Sequence, residues 1–244
     1  MASEPREFSV YFVPTPIGNR DDVTLRALDV LRSVDTICCE DTRHSGRLLK
    51  HHDISKPLLS YHEHNEAGRA PELVSRAQAG ETFAVISDAG MPGISDPGYR
   101  LLAALQEAGV SYSVLPGPSA VLTALVGSGM PSDAFFFGGF LPVKKGKRRK
   151  QLEAALEASH TSLFFESPHR LPGTLEILAD IAFDAPVCVA RELTKTFESF
   201  ERMSAQALHE IYRQKKAKGE IVLVVGGVNC PRATSNDADK QPTA

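Results

Sequence analysis

Ile86 to Gly98 reads Ile-Ser-Asp-Ala-Gly-Met-Pro-Gly-Ile-Ser-Asp-Pro-Gly, and no other stretch limits the fold as tightly. Glycines at 90, 93 and 98 and prolines at 92 and 97 interrupt any strand or helix, so the segment is a loop. Thr82, Phe83, Val85 and Ile86 predict a strand before it. Leu101, Leu102 and Leu105 predict a helix after it, with Asp96 as N-cap, Pro97 in the first helical position and Gly109 as the stop. A strand, a glycine-rich loop and a helix in that order set backbone amides and short polar side chains at the carboxyl edge of a sheet, where open α/β folds take ligands. Alone, the stretch could equally be a long turn that needs glycine.

The same order recurs. Ser9 to Val13 runs into Pro14-Thr15-Pro16-Ile17-Gly18-Asn19 and a helix whose Leu25, Leu28 and Leu31 share a face. Asp35 to Glu40 ends in the charged cluster Glu40-Asp41-Thr42-Arg43-His44. Leu58 to Tyr61 leads through His62-Glu63-His64-Asn65 to a helix with Leu73, Val74 and Ala77, and Val110 to Leu115 ends in Pro116-Gly117-Pro118-Ser119-Ala120. This repetition predicts a mostly parallel sheet through about residue 115.

Gly127-Ser128-Gly129-Met130-Pro131 breaks the rhythm, and strands are then expected at Phe135–Phe137, Thr161–Phe165, Val187–Ala190 and Ile221–Val225. Thr196 to Met203 alternates as a hairpin partner should, which implies a mixed second sheet. The expected fold class is α/β with two α/β domains, 1–119 and 120–228, followed by a polar, proline-containing tail at 229–244 expected to be disordered.

Among 244 residues, 42% are hydrophobic, enough for a real core, while a formal charge of -3 gives no global attraction to polyanions. The average hides Lys144-Lys145-Gly146-Lys147-Arg148-Arg149-Lys150, six of whose seven residues are basic. That run is either a solvated loop before the helix of Leu152, Ala155 and Leu156 or a phosphate-contacting patch. Cys38, Cys39, Cys188 and Cys230 have no metal-ligand spacing, and the adjacent pair should point to opposite faces of a strand, as buried free thiols in a reducing compartment. His62 and His64 have no third ligand at helical spacing, so no metal is expected. No apolar run approaches the roughly 18 residues of a membrane span, and a cytoplasmic protein is expected.

Several chemistries are excluded. The first strand is not followed by Gly-x-Gly-x-x-Gly, Gly146-Lys147 is followed by Arg148 instead of Ser or Thr, and there is no Gly-x-Ser-x-Gly elbow. The remaining strand-end loops are rich in Gly, Pro, Ser and Asp and poor in cations, which suits a neutral or zwitterionic small molecule better than a triphosphate.

The loops at 13–19, 39–43, 86–98 and 115–120, with Phe165-Glu166-Ser167-Pro168-His169-Arg170, Ala190-Arg191-Glu192-Leu193-Thr194-Lys195 and Lys218-Gly219-Glu220, form a series. It resembles the motifs of the small-subunit ribosomal RNA methyltransferases within the tetrapyrrole-methylase-like (class III) family, over about residues 8 to 228. The resemblance implies S-adenosyl-L-methionine in a cleft between two domains, a homodimer, and 2′-O-methylation of a cytidine in small-subunit (16S) ribosomal RNA, as free RNA or in the 30S particle. It implies cofactor contacts from Pro14, Gly18, Asp88, Gly90, Met91, Ser119, Ala120, Phe165, Glu166, Arg191, Glu192, Glu220 and Ile221. A methylase of a small tetrapyrrole or other metabolite on the same fold is the alternative, and a basic patch has no purpose there.

A ribose hydroxyl is a weak acid, so a base or a cation beside the developing alkoxide should help its methylation. Glu40 or Asp41 is the candidate base and Arg43 the candidate cation, against the plainer reading of a helix cap and ion pair. Lys144, Lys145, Lys147, Arg148, Arg149 and Lys150 are the candidate RNA contacts.

Overall fold

A computed structural model describes residues 8–230, which divide into two compact units between Ser119 and Ala120. The first unit alternates strand and helix: β1 Val10–Phe12, α1 Leu25–Ser33, β2 Thr36–Cys39, α2 Thr42–His51, β3 Leu58–Ser60, α3 Glu66–Gln78, β4 Phe83–Ile86, α4 Tyr99–Glu107 and β5 Tyr112–Val114. Its sheet has the order β3-β2-β4-β1-β5, and every pairing is parallel.

The central strands β2 and β4 are buried along their whole length and mostly apolar, whereas the edge strands β3 and β5 are only partly buried. Phe83 and Val85 of β4 join Leu73 and Ala77 of α3 and Leu101 and Leu105 of α4 in one cluster. Ala84 and Ile86 join Ala27 and Leu31 of α1 and Leu49 of α2 in another. The adjacent cysteines divide the same way, Cys38 to the first cluster and Cys39 to the second. Leu25 does not share the buried face expected of α1: it is 81% exposed. Thr24 caps the helix through Ala27 N, and the inward stripe begins two residues later at Ala27.

The second unit contains α5 Ala120–Gly127, β6 Phe135–Phe140, α6 Lys145–Glu157, β7 Thr161–Glu166, α7 Leu171–Ile181, β8 Pro186–Arg191, β9 Ser199–Ser204, α8 Ala205–Gln214 and β10 Ile221–Val225. Its sheet, β6-β7-β10-β8-β9, is mixed: β6 runs parallel to β7, and the other pairs are antiparallel. Phe164, Val187, Val189 and Leu223 pack under Leu152 of α6, Leu175 and Leu178 of α7 and Leu208 and Tyr212 of α8.

Asn229 and Cys230, the first two residues of the expected tail, are packed against the second unit. Asn229 Nδ2 donates to Ser159 O at 3.0 Å and Cys230 is buried, while residues 231–244 lie outside the described residues.

Candidate active site

The strand order places β4 between β2 and β1, so the carboxyl ends of these three strands are neighbours, with β3 and β5 outside them. Thr15 and Gly90 join the first two loops by a pair of backbone hydrogen bonds, each 3.0 Å. The Thr15 hydroxyl donates to Ser87 O and the Ser87 hydroxyl to Gly90 O, both at 3.0 Å. Pro14 is buried, and a Cβ on Gly117 would meet its ring at 2.8 Å, so the turn after β5 lies directly against the turn after β1. Pro14, Gly90 and the 116–119 turn thus form one cross-linked rim, with Gly18 exposed beside it and Met91 half-buried next to Gly90. Ser119 is half-buried at its end, and Ala120 opens α5.

Three carboxylates gather on this edge. Asp88 Oδ1 accepts from Asp41 N at 3.3 Å, joining the β4 loop to the start of α2. Burial raises the Glu40 pKa, and Asp88 and Glu63 add to the rise while His62 opposes it. Asp96 is pushed up to about 6, first by burial and then by the charges of Glu40 and Asp88. Among the described residues none of the three forms an ion pair.

Asp96 therefore does not cap the following helix. The helix starts at Tyr99 with Gly98 as N-cap and no side-chain cap bond, because Gly98 takes a φ of +146° and turns the chain after Pro97. A Cβ there would stand 3.2 Å from Gly93 N, so a side chain is strained by the conformation and tight against the neighbouring backbone. Glu66, buried at the start of α3, holds this turn: its Oε2 accepts from Gly98 N at 3.4 Å and Tyr61 OH at 3.3 Å, and its Oε1 lies 3.1 Å from Arg100 Nε.

Asp41 is the N-cap of α2, with Oδ1 accepting from Arg43 N at 2.7 Å and His44 N at 3.3 Å. Those backbone bonds, that from Arg43 first, hold its pKa below the usual carboxylate value, which makes it a weaker proton acceptor than Glu40. Arg43 is exposed in the first turn of α2, three residues after Glu40.

In the second unit, Ile221 lies opposite both Glu166 and Arg191, so the expected residues at 165–166, 191–192 and 220–221 do come together at one sheet end. Their side chains, however, are committed to one another and to their surroundings. Glu166 is fully buried: Oε2 accepts from Thr174 Oγ1 at 2.6 Å, and Oε1 accepts from Ser167 N at 2.7 Å and lies 2.6 Å from Arg170 Nη2. Its carboxylate has no free face for a ligand. Glu192 accepts from Glu220 N at 2.9 Å and Lys195 Nζ at 3.0 Å, and Glu220 Oε2 takes the same Nζ at 2.8 Å. Phe165 stacks edge-on with Phe137, Arg191 reaches Lys218 O and Ile221 is buried.

The basic run is not a loop. It forms the first two turns of α6, and a helix has two sides. Arg148 points inward, 4.0 Å from Glu166, and Arg149 pairs with Glu153 at 2.9 Å and with Asp180 at 2.5 Å. Lys144, Lys145, Lys147 and Lys150 remain exposed.

Residues 9–209 match the family described as Tetrapyrrole (Corrin/Porphyrin) Methylases. The chain belongs to this family. Among curated relatives of this methylase, "Ribosomal RNA small subunit methyltransferase I" of Vibrio cholerae is 48% identical over 221 residues, covering 89% of this chain and 77% of the relative. The protein of the same name from Mesorhizobium japonicum is 44% identical over 240 residues, 98% of this chain and 82% of its own. That of Escherichia coli O157:H7 is 46% identical over 221 residues, with 89% and 77% covered. Among solved structures, the methyltransferase CobJ superposes with a TM-score of 0.68 at 21% identity, covering 91% of this chain and 95% of its own. The uroporphyrin-III-C-methyltransferase of Thermus thermophilus gives 0.62 at 22%, covering 89% and 93%. These two likenesses establish the methylase fold.

Sequence reasoning missed Asp96, Glu66 and Tyr61 as parts of this methylase's first-unit site. Asp-Pro-Gly reads locally as a helix start, and the partners of Glu66 lie far along the chain, so only the strand order reveals either role.

Proposed function

We propose that this methylase transfers a methyl group from S-adenosyl-L-methionine to the 2′-hydroxyl of a cytidine in small-subunit (16S) ribosomal RNA. The observation that carries the proposal is the identity to the ribosomal RNA relatives, which runs through both units over 89–98% of the chain.

The chemistry of the first-unit edge agrees with such a cofactor. Glu40, Asp88 and Asp96 crowd and form no ion pair among the described residues, so a cationic ligand with hydrogen-bond donors is favoured there over an anionic one. Asp88, Gly90, Met91, Pro14, Gly18 and Ser119 would hold it, and when bound it supplies a methyl group already activated by the sulfonium charge. The chain's own task is then alignment and proton removal. Glu40, whose proton affinity is raised, accepts the hydroxyl proton; Asp41 fixes the start of α2, and Arg43 offsets negative charge near the ribose.

Exposed Phe135, Phe136 and Phe140 on edge strand β6 support assembly as a homodimer. The four cysteines are buried free thiols, which supports a reducing, cytoplasmic setting, and no helix among the described residues is long and apolar enough to cross a membrane.

Small-subunit particles and naked 16S RNA from cells lacking this modification, incubated with labelled S-adenosyl-L-methionine, should take up label at one ribose. Labelling of a tetrapyrrole but of neither RNA substrate would overturn the proposal in favour of the metabolite methylase.

A further inference from the structure

Helix α2, Thr-Arg-His-Ser-Gly-Arg-Leu-Leu-Lys-His, contains no acidic residue. Ser45 and Leu49 face inward, while Arg43, His44, Arg47, Lys50 and His51 are exposed. Residues three and four apart share a helix face, so Arg43, Arg47 and then Lys50 and His51 follow one another along the solvent side in steps of about 5–6 Å. Half-buried arginines on other helices are matched, Arg69 with Glu72 at 2.9 Å, Arg76 with Glu72 at 3.4 Å and Arg149 with Glu153 at 2.9 Å, while the exposed Lys147 and Lys150 of α6 form no ion pair among the described residues. Among the described residues Arg47 and Lys50 form no ion pair, and the acid nearest Arg43, Asp41, has its carboxylate bound to the helix backbone.

The stripe also has a direction. It starts at the strand end that carries Glu40 and runs away from it along the helix axis. A protein-binding surface would be expected to offer aromatic or aliphatic anchors, and this face offers none, since Leu48 is half-buried. Cations in a row without anchors match a phosphate backbone.

We propose that the exposed face of α2 is a docking surface for the phosphodiester backbone of RNA, holding the strand whose ribose lies at Glu40. The proposal rests on the ribosomal RNA reading above. It places a backbone contact in the first unit, separate from the α6 lysines of the second.

The test is the double variant Arg47→Ala/Lys50→Ala, in which both side chains are exposed and alanine favours the helix. Binding of a fluorescent 16S RNA transcript is followed by anisotropy from 50 to 200 mM salt, beside calorimetry of S-adenosyl-L-methionine and methyl transfer to the same transcript. Two lost contacts should reduce the slope of log affinity against log salt by about 1.4 for a single strand and weaken binding by about tenfold or more at low salt, with cofactor affinity unchanged. An unaltered affinity and slope would overturn the docking surface, even if methyl transfer to RNA is observed. Conversely, a reduced slope in a protein that methylates no RNA would uphold the surface and overturn the proposed reaction.

Discussion

The two sheets end in acidic residues that are treated in opposite ways. In the second unit each strand-end carboxylate has its cation: Glu166 with Arg170 at 2.6 Å, and Glu192 and Glu220 with Lys195 at 3.0 and 2.8 Å. In the first unit burial and the charge of Asp88 raise the proton affinity of Glu40, burial and the charges of Glu40 and Asp88 raise that of Asp96, and none of the three forms an ion pair among the described residues. Paired acids stabilise their own unit, whereas crowded acids without counter-charge cost stability that a cationic ligand can recover.

The largest break in that contrast should come from Glu166→Ala. It leaves Arg148 and Arg170 facing a buried site without their carboxylate, and urea denaturation should show a loss of about 3–5 kcal/mol. A loss below about 1 kcal/mol would mean that Glu166 is not structural. Glu66 is the instructive exception, a first-unit acid that is buried and satisfied. Glu66→Ala, which strands Gly98 N and the Tyr61 hydroxyl, should cost about 2 kcal/mol by the same measurement and release the end of the 87–98 loop to proteolysis.

Asp96→Asn should have the opposite sign. The folded carboxyl titrates near 6 against 3.8 for the free group, so the folded state holds a proton that the unfolded chain has lost. The resulting stability is fully present below about pH 4 and disappears as the pH rises through about 6. The asparagine variant should therefore gain about 1 kcal/mol at pH 7, a figure reduced for partial exposure, and flatten the stability profile between pH 4 and 6. Equal profiles for both proteins would remove Asp96 from the crowded cluster. The smallest effect is expected for Arg149→Ala: its pairs with Glu153 and Asp180 are surface contacts, and thermal unfolding should register at most about 1 kcal/mol, decreasing with added salt.

The architecture could be read from the sequence where local rules and long-range packing agree. Repeated strand, Pro/Gly turn and helix gave a parallel first sheet, alternation at 196–203 gave the antiparallel partner β9, and adjacent Cys38 and Cys39 do face opposite cores. It failed where a partner distant in sequence decides. Asp96 was legible as a cap only because Asp-Pro-Gly is a common helix entry; the +146° turn at Gly98, pinned by Glu66, moves the helix start to Tyr99. Arg148 and Arg149 looked equivalent to the lysines around them until α6 turned one toward Glu166 and the other toward Asp180. Likewise Asp41 resolved into a cap while Glu40, its neighbour, became the stronger proton acceptor.

The contrast between the two sheet ends is tested most directly by calorimetric titration of S-adenosyl-L-methionine into the native protein and Asp88→Ala. Removing Asp88 from this acidic edge should weaken binding by about tenfold or more, equivalent to about 1.4 kcal/mol, with the fold retained. An unchanged dissociation constant would contradict the assignment of this edge to the cofactor.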